Sequence, residues 1–240
     1  MARFRLRKQT QGEYRGGDLS GSLVTLHDPA GLASEAYRIL RTSLLYAEVD
    51  APPKVILTTS PGAMDGKSIT CSNLGVVLAQ AGKETLVLEG DLREPSLHRI
   101  FGVRNSNGVV NVLSGEYDIS EVWREPFPGL RVVSAGPIPP NPAELLGSYR
   151  FAELITHVRQ LFDYVLIDSP PTGSVSDPMI IAARADAVLL VVDSQGTSKR
   201  SLRGAMRSLE AVGAPVLGTV MNKFDRAKND RYSNVYAIQR

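Results

Sequence analysis

One stretch limits the architecture more than any other: Val55-Ile56-Leu57-Thr58-Thr59-Ser60-Pro61-Gly62-Ala63-Met64-Asp65-Gly66-Lys67-Ser68. It reads as a short apolar strand, a glycine-containing loop, and a Gly-Lys-Ser that opens a helix running on through Leu74 and Leu78. A phosphate chain requires this kind of turn. The loop's N–H groups point inward, the helix N-terminus adds partial positive charge, and a lysine adds a full one. Ser68 would then offer its hydroxyl to a magnesium ion bridging phosphate oxygens. The usual spacing sets a glycine five residues before Gly66, whereas Pro61 stands there and Gly62 follows it. Gly-Lys-Ser is common by chance, so other strand ends must supply the rest of a site.

They are found downstream. Thr85-Leu86-Val87-Leu88 leads into Glu89-Gly90-Asp91, and Leu130-Arg131-Val132-Val133 is a further β-rich run. Tyr164-Val165-Leu166-Ile167 ends at Asp168, followed by the runs at 187–192 and 216–221, the last ending at Asn222. Helical spacing separates them: Phe151, Leu154, Ile155 and Val158 in one segment, Leu202, Met206 and Leu209 in another. Continuous apolar strands alternating with amphipathic helices predict an α/β fold, a mostly parallel sheet with helices on both faces. Ligands of such sheets sit beyond the carboxyl ends of the strands. Lys67, Ser68, Glu89, Asp91, Asp168 and Asn222 all fall there. Upstream, residues 33–46 read as a helix that packs through Ala33, Tyr37, Leu40 and Leu44. Glu35, Arg38 and Arg41 fall on roughly the opposite side.

Composition removes several classes. The 240 residues are 43% apolar with a net charge of +2, which fits one large domain and no nucleic-acid footprint. The single cysteine, Cys71, excludes a disulfide framework and reads as a buried filler. His27, His98 and His157 lack ligand spacing. No apolar run reaches the roughly 20 residues of a membrane helix, and no signal peptide opens the chain, so a soluble cytoplasmic protein is expected. Residues 1–28 read as a flexible basic arm, with Arg3, Arg5, Arg7 and Lys8 interleaved with Phe4 and Leu6. Such an arm is either a solvated tail or a strip for anionic lipid.

The strand ends suggest particular chemistry. Asp168 can hold magnesium through water. Glu89 and Asp91 can address the same metal and a substrate hydroxyl, with Arg93 neutralising phosphate. Asn222-Lys223-Phe224-Asp225 has the form of a guanine-reading element, although its amide can equally pair with adenine.

In this order, the strings resemble one family: the bacterial tyrosine kinases of capsule and exopolysaccharide export, which share a P-loop fold of deviant Walker type. The resemblance covers roughly residues 30–225. It includes Glu35-Ala36-Tyr37-Arg38-Ile39-Leu40-Arg41, like the family's Glu-x-x-Arg-x-x-Arg helix, and the loop ending at Ser68. It continues through Leu88-Glu89-Gly90-Asp91-Leu92-Arg93-Glu94-Pro95, Pro140-Asn141-Pro142-Ala143-Glu144-Leu145-Leu146 and Leu166-Ile167-Asp168-Ser169-Pro170-Pro171.

The resemblance implies an ATP- and Mg²⁺-dependent kinase domain over residues 29–225, with a tail over 226–240 that carries acceptors Tyr232 and Tyr236. Gly62, Asp65, Gly66, Lys67, Ser68, Ile69, Arg93 and Asn222 would line the nucleotide. Ser68, Asp91 and Asp168 would hold the metal, and Lys67, Glu89, Asp91 and Asp168 would carry catalysis, residue 89 helping to activate the tyrosine hydroxyl. Glu35, Arg38 and Arg41 would join copies into a homo-oligomeric ring. A membrane polysaccharide co-polymerase would be the activating partner, placing the chain at the inner face of the plasma membrane. Residue 89 is Glu where the family has Asp, and Asp65 adds a negative charge beside the phosphates. A second expectation is therefore a nucleotide-switched assembly ATPase that transfers nothing to tyrosine.

Overall fold

The computed structural model describes residues 19–47 and 52–224. Its elements in chain order are α1 (Val24–His27), α2 (Leu32–Leu45), β1 (Val55–Thr59), α3 (Lys67–Gln80), β2 (Thr85–Glu89), α4 (Leu97–Ile100), α5 (Val109–Ser114) and α6 (Ile119–Val122). There follow β3 (Arg124–Phe127), β4 (Leu130–Val133), α7 (Pro142–Gly147), α8 (Tyr149–Leu161), β5 (Tyr164–Asp168), α9 (Asp177–Ala182), β6 (Ala187–Asp193), α10 (Lys199–Ala211) and β7 (Val216–Asn222).

The strands form one seven-stranded sheet in the order β3-β4-β2-β5-β1-β6-β7. Neighbours are parallel except for β3, which pairs antiparallel with β4. The apolar runs match β1, β2, β4, β5, β6 and β7; β1, β2, β5 and β6 are buried along their length because central parallel strands covered on both faces have no polar side to show, whereas β7 at the sheet edge is only partly buried. Val55 and Leu57 turn to one layer with α5–α10, while Ile56 turns to the other with α3 and α4.

Three details depart from the sequence reading. On α2 the buried positions are Ser34 and Leu44, and Ala33 is exposed. Ser34 replaces it because its hydroxyl donates to the Val24 and Asp28 carbonyls at 3.0 and 2.6 Å. On α10, Ala205 and Leu209 face the core and Met206 is exposed. The expected arm over 1–28 is shortened, since residues 19–28 pack on the domain: Leu23 and Thr25 are fully buried. Asn73, in the middle of α3, pins them. Its side-chain oxygen accepts from Thr25 N–H and hydroxyl at 3.1 and 2.9 Å, and its amide donates to Ser22 at 2.9 Å.

Candidate active site

Sheet register brings the predicted strand ends to one level. Asp168 of β5 stands opposite Thr58 of β1 on one side and Glu89 of β2 on the other. Gly90 allows the close approach that follows: its N–H donates to the Asp168 carbonyl at 2.6 Å, and a Cβ there would lie 2.7 Å from that oxygen. Asp91 is thereby delivered beside the loop, where the Arg93 and Glu94 N–H groups hold its Oδ1.

The loop enters α3 through Gly66, at φ +96°, where an added Cβ would strike the Asn222 amide. Lys67 then reaches back. Its Nζ lies 3.5 Å from Asp91 Oδ2 and donates to Ser68 Oγ at 3.2 Å. Burial works against the ammonium, but Asp168, Asp91 and Glu89 outweigh it and hold its pKa above the ordinary value.

Asp168 is fully buried, and neither carboxylate oxygen has a hydrogen-bond partner among the described residues. Burial raises its pKa to about 6, against the pull of Lys67 and of the nearby Ser68 hydroxyl. An anion left bare beside a lysine and a hydroxyl fits a cation that completes it, and the oxygen donors suit a hard one such as Mg²⁺. Cys71 is fully buried, with its thiol pKa pushed well up by burial, as expected of a packing residue.

Lys67, Ser68, Asp91 and Asp168 are thus brought together, while other predicted residues are placed differently. Glu89, expected to activate a substrate hydroxyl, is fully buried and its Oε2 accepts from Ser96 and Leu97 N–H at 2.8 and 2.9 Å. It braces the start of α4. Burial, reinforced by Asp168, pushes its pKa well above the carboxylate range.

Arg93, expected on phosphate, is paired through two hydrogen bonds, 2.8 and 3.0 Å, with the fully buried Asp177. Asp65 folds inward and accepts the Gly62 N–H at 3.0 Å, so that donor serves the loop itself. Asn222, expected at the base, donates its amide to the Asp65 carbonyl at 2.9 Å. Ile69 sits half exposed in the first turn of α3, and its carbonyl accepts from Asn73.

On α2, Glu35 and Arg38 pair at 2.8 Å on the outer side. Arg41 faces inward, donating to the Val77 carbonyl of α3 at 3.2 Å, because its long stem lets a charge end on a helix backbone. Tyr232 and Tyr236 lie outside the described residues, as does Asp225.

The sequence reading missed a clamp on the loop. Lys223 Nζ donates to the Met64 carbonyl at 2.9 Å and to Asp193 Oδ2 at 2.8 Å. Met64 adopts φ +62°, unfavourable for a side-chain-bearing residue, and these bonds hold it there. Asp193 ends β6, so the rule that ligands gather at carboxyl strand ends had already marked its position.

Known proteins resemble this chain in sequence and fold. A family profile described as NUBPL iron-transfer P-loop NTPase, of the ParA type, matches residues 53–238. Iron chemistry of that kind relies on thiolate ligands, and this sequence has only the buried Cys71, so the likeness concerns the fold and its phosphate loop.

The putative tyrosine-protein kinase CapB of Staphylococcus aureus is 35% identical over 217 residues, covering 90% of this chain and 95% of that one. The tyrosine-protein kinase YwqD of Bacillus subtilis is 36% identical, covering 91% and 92%. The crystal structure of the chimerical protein CapA2B2 superposes with a TM-score of 0.81 at 33% identity, covering 87% of this chain and 93% of that one. The kinase domain of the Escherichia coli tyrosine kinase ETK gives 0.81 at 28%, covering 93% and 87%. The septum site-determining protein MinD of Pyrococcus horikoshii, at 0.62 and 23% over 72% and 71%, shares the fold.

Proposed function

The chain belongs to the bacterial tyrosine-protein kinases of capsule and exopolysaccharide synthesis, built on the ParA-type P-loop fold, and from that membership we propose that it moves the γ-phosphoryl group of ATP onto Tyr232 or Tyr236 of a neighbouring copy. The observation that carries this reading is the convergence of Lys67, Ser68, Asp91 and the bare Asp168 carboxylate at the carboxyl ends of adjacent strands.

Lys67 would bear the charge of the β- and γ-phosphates, with the unpaired N–H groups of the first turn of α3 beneath them. Ser68 and Asp168 would hold Mg²⁺, which when bound neutralises phosphate oxygens. With Glu89 committed to α4, Asp91 is the acid left to orient the tyrosine hydroxyl and accept its proton as oxygen bonds to phosphorus and ADP departs. Positioning and charge neutralisation supply most of the rate in such transfers.

Assembly is supported by α2. Leu32, Ile39 and Tyr46 recur every seven residues and are 67%, 51% and 73% exposed, beside the Glu35–Arg38 pair. This stripe would meet the next subunit, and a membrane polysaccharide co-polymerase would activate the assembly at the inner face of the plasma membrane. No described helix is long and apolar enough to cross a membrane.

The withdrawal of Glu89 favours one other reading, a nucleotide-switched ATPase. Incubation of the purified protein with ATP and Mg²⁺, probed for phosphotyrosine, separates the two. We expect Lys67→Met and a chain ending at Asp230 each to lose the signal, by about 100-fold or more for the lysine. A signal that survives both changes ends the kinase reading. ATP hydrolysis without phosphotyrosine supports the switch.

A further inference from the structure

The amide of Asn73 joins the first described residues of the chain to the phosphate-binding turn. Asn73 is fully buried on α3, where asparagine is a poorer helix former than alanine and an unpaired amide would be costly. Here the amide uses its whole capacity. Its oxygen accepts the Thr25 N–H and hydroxyl, one proton goes to the Ser22 carbonyl, and the other goes to the Ile69 carbonyl at 2.9 Å. Ile69 directly follows Lys67 and Ser68 in the first turn of α3. One side chain therefore ties residues 22–25 to the turn whose N–H groups, lysine and hydroxyl would meet the phosphates.

The attachment continues on either side. Ser20 N–H donates to the Ile100 carbonyl at 3.0 Å, and Leu23 is fully buried in the layer that contains α3. Gln80, at the far end of α3, donates to the Thr25 carbonyl at 3.3 Å. Residues 19–28 thus form a strap held to α3 at Asn73 and at Gln80.

We propose that seating of this strap and filling of the nucleotide site favour one another, with Asn73 as the positioning residue between them. A ligand is held well only when its donors stand within about half an ångström of their productive places. Without the bonds of Asn73, the first turn of α3 would lose its support from the strap. Coupling between two sites is reciprocal: a strap that strengthens nucleotide binding is itself strengthened, by the same factor, when nucleotide binds. The chain enters the domain through this strap, so a pull on residues 1–18 would reach the phosphates through Asn73. This coupling rests on the nucleotide site read above, and not on transfer to tyrosine.

Hydrogen exchange of the full chain, read by mass spectrometry, tests it with Mg²⁺ and the non-hydrolysable adenylyl imidodiphosphate as ligand. Saturating ligand should slow exchange of the 20–28 amides about five-fold or more. Asn73→Ala should weaken the ligand about ten-fold in calorimetry and leave the strap exchanging fast with or without it. Thr25→Val keeps the shape and removes one of the four bonds. It should speed strap exchange about three-fold, and Thr25→Ser should restore it. Val158→Ala lies in the core on the opposite face of the sheet from α3. It should lower the melting temperature with ligand affinity and strap protection unchanged.

Ligand binding that leaves strap exchange unaltered would overturn the coupling while the nucleotide reading stands. So would an Asn73→Ala protein whose strap exchanges fast at undiminished ligand affinity. Equal losses of affinity in Val158→Ala and Asn73→Ala would overturn it as well, since general destabilisation would then account for both. Absence of ligand binding by the unaltered protein would instead remove the nucleotide site on which the coupling rests.

Discussion

Two buried acids at the site carry opposite expectations. Glu89 gives one oxygen to two N–H groups of α4, while its other oxygen is buried and unpartnered. A glutamine reproduces that arrangement, its carbonyl accepting both bonds. Glu89→Gln is therefore expected to keep phosphotyrosine formation within about three-fold, whereas removal of a general base costs about 100-fold or more. A loss of the larger size would restore Glu89 to catalysis.

Asp168 is bare and buried, so the unliganded fold bears the cost of its charge. With a folded pKa of about 6 against an ordinary 3.8, the folded state holds the proton more tightly than the unfolded one. The sign follows: this contribution to stability is greatest below pH 3.8 and is lost as pH rises through about 6. Asp168→Asn should stabilise the unliganded protein at pH 7 by on the order of 2 kcal/mol, flatten that pH dependence in urea titrations, and abolish transfer. A destabilised variant would mean that the carboxylate is structural.

At the level of elements, the phosphate loop is governed by strands that do not contain it. Asn222 and Lys223, at the end of β7, take the Asp65 and Met64 carbonyls, and Asp193 from β6 anchors the lysine. Lys223 is about half exposed, so its ion pair adds little to global stability. Its effect should fall on the loop. Lys223→Ala is expected to raise the KM for ATP about five-fold with kcat nearly unchanged and no shift in melting temperature, and Lys223→Arg to restore most of it. A fall in kcat at constant KM would place the lysine in the chemistry. The loop and its clamp meet because β6 and β7 lie beside β1 in the sheet order, far from it in sequence.

The whole molecule adds the outer face of α2. Leu32, Ile39 and Tyr46 stay exposed although α2 already packs its other side on α3, so the stripe remains available to a second copy. Ile39→Asp is expected to move sedimentation toward monomer and to reduce phosphorylation between copies about ten-fold, with ATP binding intact. Association that withstands the charge would move the interface elsewhere.

Alternating apolar runs and helical spacing were sufficient for the sheet, its parallel sense and the acids at its carboxyl end, because each is a local pattern that burial on two faces enforces. The edge strand β3, Arg124-Glu125-Pro126-Phe127, was invisible, since a half-exposed antiparallel edge containing proline shows neither run nor alternation. Direction was the other thing hidden. Whether Glu89 faces a substrate or a helix end, Arg93 a phosphate or Asp177, and Arg41 a neighbour or Val77 depends on which backbone arrives from elsewhere in the chain. Residue types set what chemistry was available; only the tertiary contacts decided which groups remained unpaired to perform it, because a buried polar group takes whatever partner packing brings within reach.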